Sequence, residues 1–383
     1  MAKTKLLKNF KWKHFINYAL VAVFTLILSF QFLFVGIEKS TLFLVEKIII
    51  AVILAVSLNL VVGFLGELSL GHAGFMCVGA YIGGKSASII SASLGNDSPL
   101  SLLIALTAGG LAAAACGFII GLPALRLKGD YLAIVTLGFG EIVKSIFQNT
   151  SRESFGVALG LETPRFDYET LFFYGLALIF ITLIVIQNLI RSKHGRAITA
   201  IRDNEIAAHA TGINVTYYKL LAFVVSSFFA GIAGVLYSFS NYNVQSSKFG
   251  YNYSIEILVM VVLGSIGSIT GSIISATLIT VINTKFAEIL TGDLAVLQNL
   301  FYAIILIIIV IYGNSPALKG FREKYNLNKL FNKFKKKDPS KINDDSANWS
   351  VIPTKIPMDE LLSTDLKPSE GSTMRPDVMK GDK

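Results

Sequence analysis

Residues 195–223 read GRAITAIRDNEIAAHATGINVTYYKLLAF, a polar, mixed-charge segment of helical type wedged between two apolar runs, 171–190 and 220–239. Each run supplies the roughly 20 residues that a helix needs to cross a bilayer core of about 30 Å. A charged segment held between two such columns lies at a membrane face, where a partner can read it.

The rest of the chain fits this setting. Of 383 residues, 53% are hydrophobic and 15% charged, against about 25% charged in an ordinary soluble domain, and the mean hydropathy is +0.62. One soluble core cannot hold apolar runs repeated over this length. In lipid every backbone polar group must be satisfied internally, which leaves helices or a closed barrel, and continuous rather than alternating hydrophobicity selects helices. The expected fold is therefore an all-α polytopic transmembrane bundle of about 8–10 spans, some short or broken.

Ten candidate spans can be marked: 15–35, 42–62, 68–90, 100–122, 131–148, 171–190, 220–239, 254–267, 269–290 and 295–312. The stretch 254–290 reads either as one tilted helix or as two elements split at Gly264, Gly267 and Gly271. Charge favours the split. The net charge of +9 is carried in blocks beside apolar runs rather than over a soluble face, which argues against nucleic acid and for membrane lipid. Lys3, Lys5, Lys8, Lys11 and Lys13 precede the first run, and eight basic residues stand against one acid in 319–337. With both blocks cytoplasmic the number of crossings is even, and Arg126, Lys128, Arg191, Lys193 and Arg196 also fall inside. Loops 149–169 and 241–253 then face outward. The organisation expected is a basic cytoplasmic segment 1–14, a membrane domain 15–318, a basic juxtamembrane segment 319–337 and a disordered cytoplasmic tail 338–383 too poor in apolar residues to offset its ordering entropy. Run 15–35 is too long for a signal-peptide core and lacks a small-residue cleavage site, so it reads as an uncleaved span.

Several motifs bear on function. Gly79 to Ser86, GAYIGGKS, matches the spacing of a phosphate-binding loop. Such a loop works between a strand and a helix, whereas this one lies inside an apolar helical run. Its glycines serve close helix packing instead, as small-xxx-small pairs Gly79/Gly83, Gly117/Gly121 and Gly267/Gly271. Cys77 and Cys116, both in apolar context, pack as small hydrophobes. Residues 68–81, LSLGHAGFMCVGAY, place Ser69, His72 and three glycines just after Glu67. Ionisable groups are expensive at bilayer depth, so this reads as a broken helix lining a path, or else as a capped helix start whose histidine meets a backbone carbonyl. No second His or Cys stands at ligand spacing, which leaves no metal site. Asn59, Glu141 and Glu256 are further polar groups within apolar runs; Glu141 also shares a helix face with Lys144.

In the opening segment Arg202, Asp203, Glu205 and His209 are interleaved with Ile206, Ala207 and Ala208, and Gly212 followed by Asn214 marks a helix stop. Small alanines let a protein surface approach, and the charges orient it. The competing reading is an amphipathic helix lying in the headgroup region.

Four blocks in order, LSLGHAGFMCVGAY, LRLKGDYLAIVTLGFGEI (125–142), the opening segment and SIEILVMVVLGSIGSITGS (254–272), resemble LivM-type permeases of branched-chain amino-acid ABC importers. The likeness runs from about residue 42 to 318. In that family a cytoplasmic E-A-A-x-x-x-G helix docks on the ATP-hydrolysing subunit. Ala207, Ala208 and Gly212 match it, while Glu205 stands one residue early with Ile206 in the acidic position. The resemblance implies a non-catalytic subunit in a bacterial plasma membrane, with no cofactor of its own and ATP-Mg on partner subunits. It implies as partners a LivH-like permease, LivG- and LivF-like ATPases and an extracytoplasmic binding protein, with a docking loop formed by Arg202, Asp203, Glu205, Ala207, Ala208 and Gly212. Urea, other amino acids or sugars are alternative cargoes on the same architecture. An ion-coupled secondary transporter is the rival of another class; it needs a buried relay, for which Glu141 and Glu256 are the candidates.

Overall fold

The computed structural model describes residues 39–94, 99–127, 129–151, 159–164, 168–241 and 243–289, with isolated positions 18, 21, 155, 304 and 307. Apart from those isolated positions, the expected spans 15–35 and 295–312 lie outside this set, as do the basic segments 1–14 and 319–337 and the tail 338–383. The chain divides into two units, 1–314 and 315–383, and every described residue belongs to the first.

Long apolar runs give helices wherever the described chain crosses the body. These are α1 (Lys39–Asn59), α2 (His72–Leu94), α3 (Pro99–Ala124), α4 (Asp130–Asn149), α5 (Tyr168–Arg191), α6 (Lys193–Asp203), α7 (Glu205–Ala210), α8 (Val215–Ser240), α9 (Tyr251–Leu263) and α10 (Ile269–Ile289). Among the described residues six segments are long and apolar enough to cross a membrane: Ser40–Leu65, His72–Ser91, Pro99–Ala124, Thr170–Arg191, Val215–Ser240 and Ile269–Glu288. Expected span 131–148 does form a helix, α4, which is not among the six. At about 1.5 Å per residue the 13 residues of α9 reach only about 20 Å, short of a crossing.

The bundle is built around α1. Its span is 94% buried, and it packs against α5, α8, α9 and α10. By contrast, the α3 span is 28% buried and leaves Leu103, Leu111, Phe118 and Ile119 exposed. Outward-facing apolar side chains of this kind suit lipid or an apolar protein face.

Close packing of α2, α3 and α8 rests on glycine. A Cβ on Gly79 would collide with the backbone of Gly231, and Gly117 and Gly121 lie against Ser227 and Leu220 of α8. The phosphate-loop match therefore sits within the unbroken helix α2. The pairing expected of Gly267 with Gly271 is not found. Gly267 lies outside any helix at φ +82°, because the chain turns at Gly264–Ser268, and Gly271 packs on Gly264 instead. The described part of this stretch, 254–289, is thus two helices joined by a tight turn.

Both loops expected to face outward meet at one end. Leu161–Glu162 (β1) pairs antiparallel with Asn243–Val244 (β2), in the register Leu161↔Val244 and Glu162↔Asn243. Tyr81 Oη, on α2, donates to Val244 O at 2.9 Å. Helix α8 runs from α7 to this ladder, and its 26 residues span about 39 Å, so the charged segment and the ladder lie at opposite ends of the bundle.

Candidate functional site

The charged segment folds as two short helices rather than one. Asn204, at φ −160° and ψ 106°, ends α6 and begins α7, and its Oδ1 accepts from Ala207 N at 3.0 Å. At the other end Gly212 N donates to His209 O and Ile213 N to Ala208 O, with Gly212 left-handed at φ +85°. This is the Schellman closure, which satisfies the last carbonyls of α7. Asn214 does not stop the helix. It caps α8 by accepting from Tyr217 N at 3.1 Å.

Exposure divides the expected docking residues. Ile206 is 78% exposed, and Arg202, Asp203, Ala207 and Gly212 also face out. Ala208 is only 4% exposed and packs into the body, so it fixes α7 to the bundle and cannot touch a partner. A helix of six residues has one inward face, and the Schellman turn draws Ile213 and Ala208 onto it.

Two ties run from this segment into the membrane body. Lys219 Nζ, on α8, lies 2.6 Å from Glu67 Oε1 and 3.3 Å from Glu205 Oε1, and its side chain is 3% exposed. Arg202 Nη1 donates to Gly63 O at 3.1 Å, while its Nε and Nη2 bind Asp203 Oδ1. Gly63 belongs to a π-helical turn, Leu60–Leu65, that follows α1 and closes at Gly66. Such turns leave carbonyls displaced from the regular ladder and are frequent at functional sites.

Each tie ends at a break in a span. After the π turn, residues 66–71 are irregular and α2 starts only at His72, four residues later than the hydrophobic run. Other helices satisfy amides on either side of that start: Leu70 N donates to Thr136 Oγ1 of α4 and Ala73 N to Ser254 Oγ of α9. His72 Nε2 meets Ser57 Oγ of α1 at 2.9 Å, not a backbone carbonyl, and Ser57 O accepts from Ser226 Oγ of α8 at 2.6 Å. Ser69 Oγ is buried with no hydrogen-bond partner among the described residues. The second break is the Gly264–Ser268 turn. Fully buried Asn59 holds it, donating through Nδ2 to Ser272 Oγ at 3.0 Å and accepting at Oδ1 from Gly267 N at 2.9 Å. Glu67, Ser69 and His72 therefore lie at the first break and Asn59 at the second.

Glu141 and Glu256 lie elsewhere. Glu141 accepts from Lys144 Nζ and from Tyr251 N, both at 2.8 Å, and so caps the start of α9. Glu256 Oε1 accepts from Asn283 Nδ2 of α10 at 2.9 Å and lines a cavity. Reading the sequence missed Lys219, Ser57 and Arg202's inward bond. The only signal for Lys219 is a lysine entering an apolar run, a position that suits an interfacial lysine equally well.

Residues 40–311 match the family model described as the branched-chain amino acid transport system / permease component. The chain is similar to the high-affinity branched-chain amino acid transport system permease protein LivM of Escherichia coli (strain K12), with 34% identity over 319 residues covering 74% of this chain and 72% of that protein. LivM of Salmonella typhimurium is 32% identical over the same shares, 74% and 72%. A more distant likeness, 25% over 59% of this chain and 65% of the relative, is to the fructose import permease protein FruF of Bifidobacterium longum. No solved structure matches the chain.

Proposed function

The chain belongs to the branched-chain amino acid transport permease family, and from that premise we propose that it is the membrane subunit of an importer that carries branched-chain amino acids inward while separate ATPase subunits, docked on α6 and α7 at the cytoplasmic face, supply the energy. A second permease completes the path, and an extracytoplasmic binding protein delivers the cargo. Its likeness to LivM proteins supports partners of the LivH, LivG and LivF types.

One observation carries this reading: the exposed helix α7 is tied by the buried ammonium of Lys219 to Glu67, at the mouth of the break before α2. A force on α7 reaches the 66–71 break through the Glu205–Lys219–Glu67 chain. A force on α6 reaches the Gly264–Ser268 turn through Arg202, Gly63 and Asn59. Irregular backbone moves more readily than helix, so ATPase closure acts on these breaks while the long spans shift as rigid bodies. ATP chemistry stays on the partner subunits.

The test introduces Ile206→Glu and Ala207→Arg into the assembled transporter. Both should abolish co-purification of the ATPase and bring uptake of labelled leucine to background. Uptake at the unaltered rate would remove α7 as the docking element. Import of labelled fructose instead of leucine by the unaltered complex would change the cargo, and uptake that collapses with a protonophore at constant ATP would replace ATP coupling with ion coupling.

A further inference from the structure

A cavity of about 300 Å³ lies between α1, α8, α9 and α10. That is the lower end of small-molecule sites, roughly 300–1,000 Å³. Its walls hold a basic side chain, Lys47 of α1, and an acidic one, Glu256 of α9, with Thr280 and Asn283 of α10 between apolar surfaces from Ile50 and Met260. Asn283 orients the Glu256 carboxyl through the 2.9 Å bond. Lys47 Nζ sits 4.5 Å from the Phe43 ring centroid. Thr280 is 8% exposed, and its Oγ1 has no hydrogen-bond partner among the described residues.

The position is informative. Lys47 precedes Asn59 by 12 residues of α1, about 18 Å along the axis, and Asn283 follows Ser272 by 11 residues of α10, about 16 Å. Asn59 and Ser272 mark the end that carries α6 and α7, so the cavity lies in the opposite half of the bundle. Charges of both signs inside apolar walls suit a ligand that itself carries both. A sugar has neither, and an anion or cation alone leaves one group uncompensated.

We propose that this cavity holds a zwitterionic amino acid with an aliphatic side chain during passage, with Lys47 taking the carboxylate, Glu256 the ammonium, and Ile50 and Met260 the side chain. The assignment rests on the amino-acid permease reading above.

The experiment uses the whole transporter with its partners. Thr280→Cys, in a background carrying Cys77→Ala and Cys116→Ala, is treated with a small thiol reagent. Saturating leucine should slow labelling severalfold and ribose should not; equal rates with and without leucine would overturn the site. In uptake assays Lys47→Met and Glu256→Gln should each raise the KM for leucine roughly tenfold or more, the scale of a lost charge-assisted bond. An unchanged KM in both would also overturn it. The labelling of Thr280→Cys decides the matter if a charge variant fails to reach the membrane. Absence of leucine uptake by the unaltered complex would instead sink the transport reading itself.

Discussion

At Lys219 one ammonium compensates two carboxylates, Glu67 at 2.6 Å and Glu205 at 3.3 Å, in a site where the lysine side chain is 3% exposed. Removing one partner of a buried pair leaves the other charge without compensation, and the penalty is about 3–5 kcal/mol. Glu205 is a third exposed and water relieves part of its burden. Lys219→Met is therefore expected to destabilise the purified protein by about 3 kcal/mol, read as a lower Tm in detergent, and Glu67→Gln in the same chain should restore part of the loss because it removes the stranded charge. A single variant that melts with the unaltered protein would show that the pair holds nothing. Glu67 and Glu205 were legible as candidates from their places beside apolar runs. Their common partner was not, because Lys219 is 152 residues from Glu67 and no local periodicity links them.

Among the elements, the packing of α2 on α8 and α3 is set by backbone approach at Gly79, where a side chain would meet the Gly231 backbone. Gly79→Val should destabilise the bundle by about 1–3 kcal/mol or more, the usual penalty for overpacking. Gly138→Ala on α4 is the matched control, since nothing lies within 4 Å of a Cβ there, and it should leave Tm unchanged or slightly raised. Equal effects of the two would mean that the close approach is not what holds α2 in place. Helices were readable in the sequence because runs of about 20 apolar residues admit no other structure in lipid. The irregular stretch before α2 was only partly readable, since 68–81 read equally as a broken helix and as a capped helix start, with the span begun at 68. What the pattern could not give is the face of a short helix: Ala207 and Ala208 are equivalent in composition, yet the turn at Gly212 sends one outward and the other, 4% exposed, into the body.

Over the whole molecule, α8 separates the α6–α7 face from the β1–β2 ladder by about 39 Å, so the two ends should meet different compartments. With Cys77 and Cys116 replaced by alanine, Ile206→Cys should react with a membrane-impermeant thiol reagent only from the cytoplasmic side, and Leu159→Cys, beside the ladder, only from outside. Reaction of Ile206→Cys from outside alone would reverse the orientation and remove the docking proposal. The sequence by itself determined the solvent of this protein, the helical class and the position of the charged segment, because hydrophobic length and charge are properties of contiguous residues. Tertiary structure alone decided that this segment is wired by Lys219 and Arg202 to two broken spans, and that Lys47 and Glu256, 209 positions apart in the chain, share one cavity. Ion pairs and cavities form between residues that only packing brings together, and in a bundle whose helices are all similarly apolar, composition does not specify which faces meet.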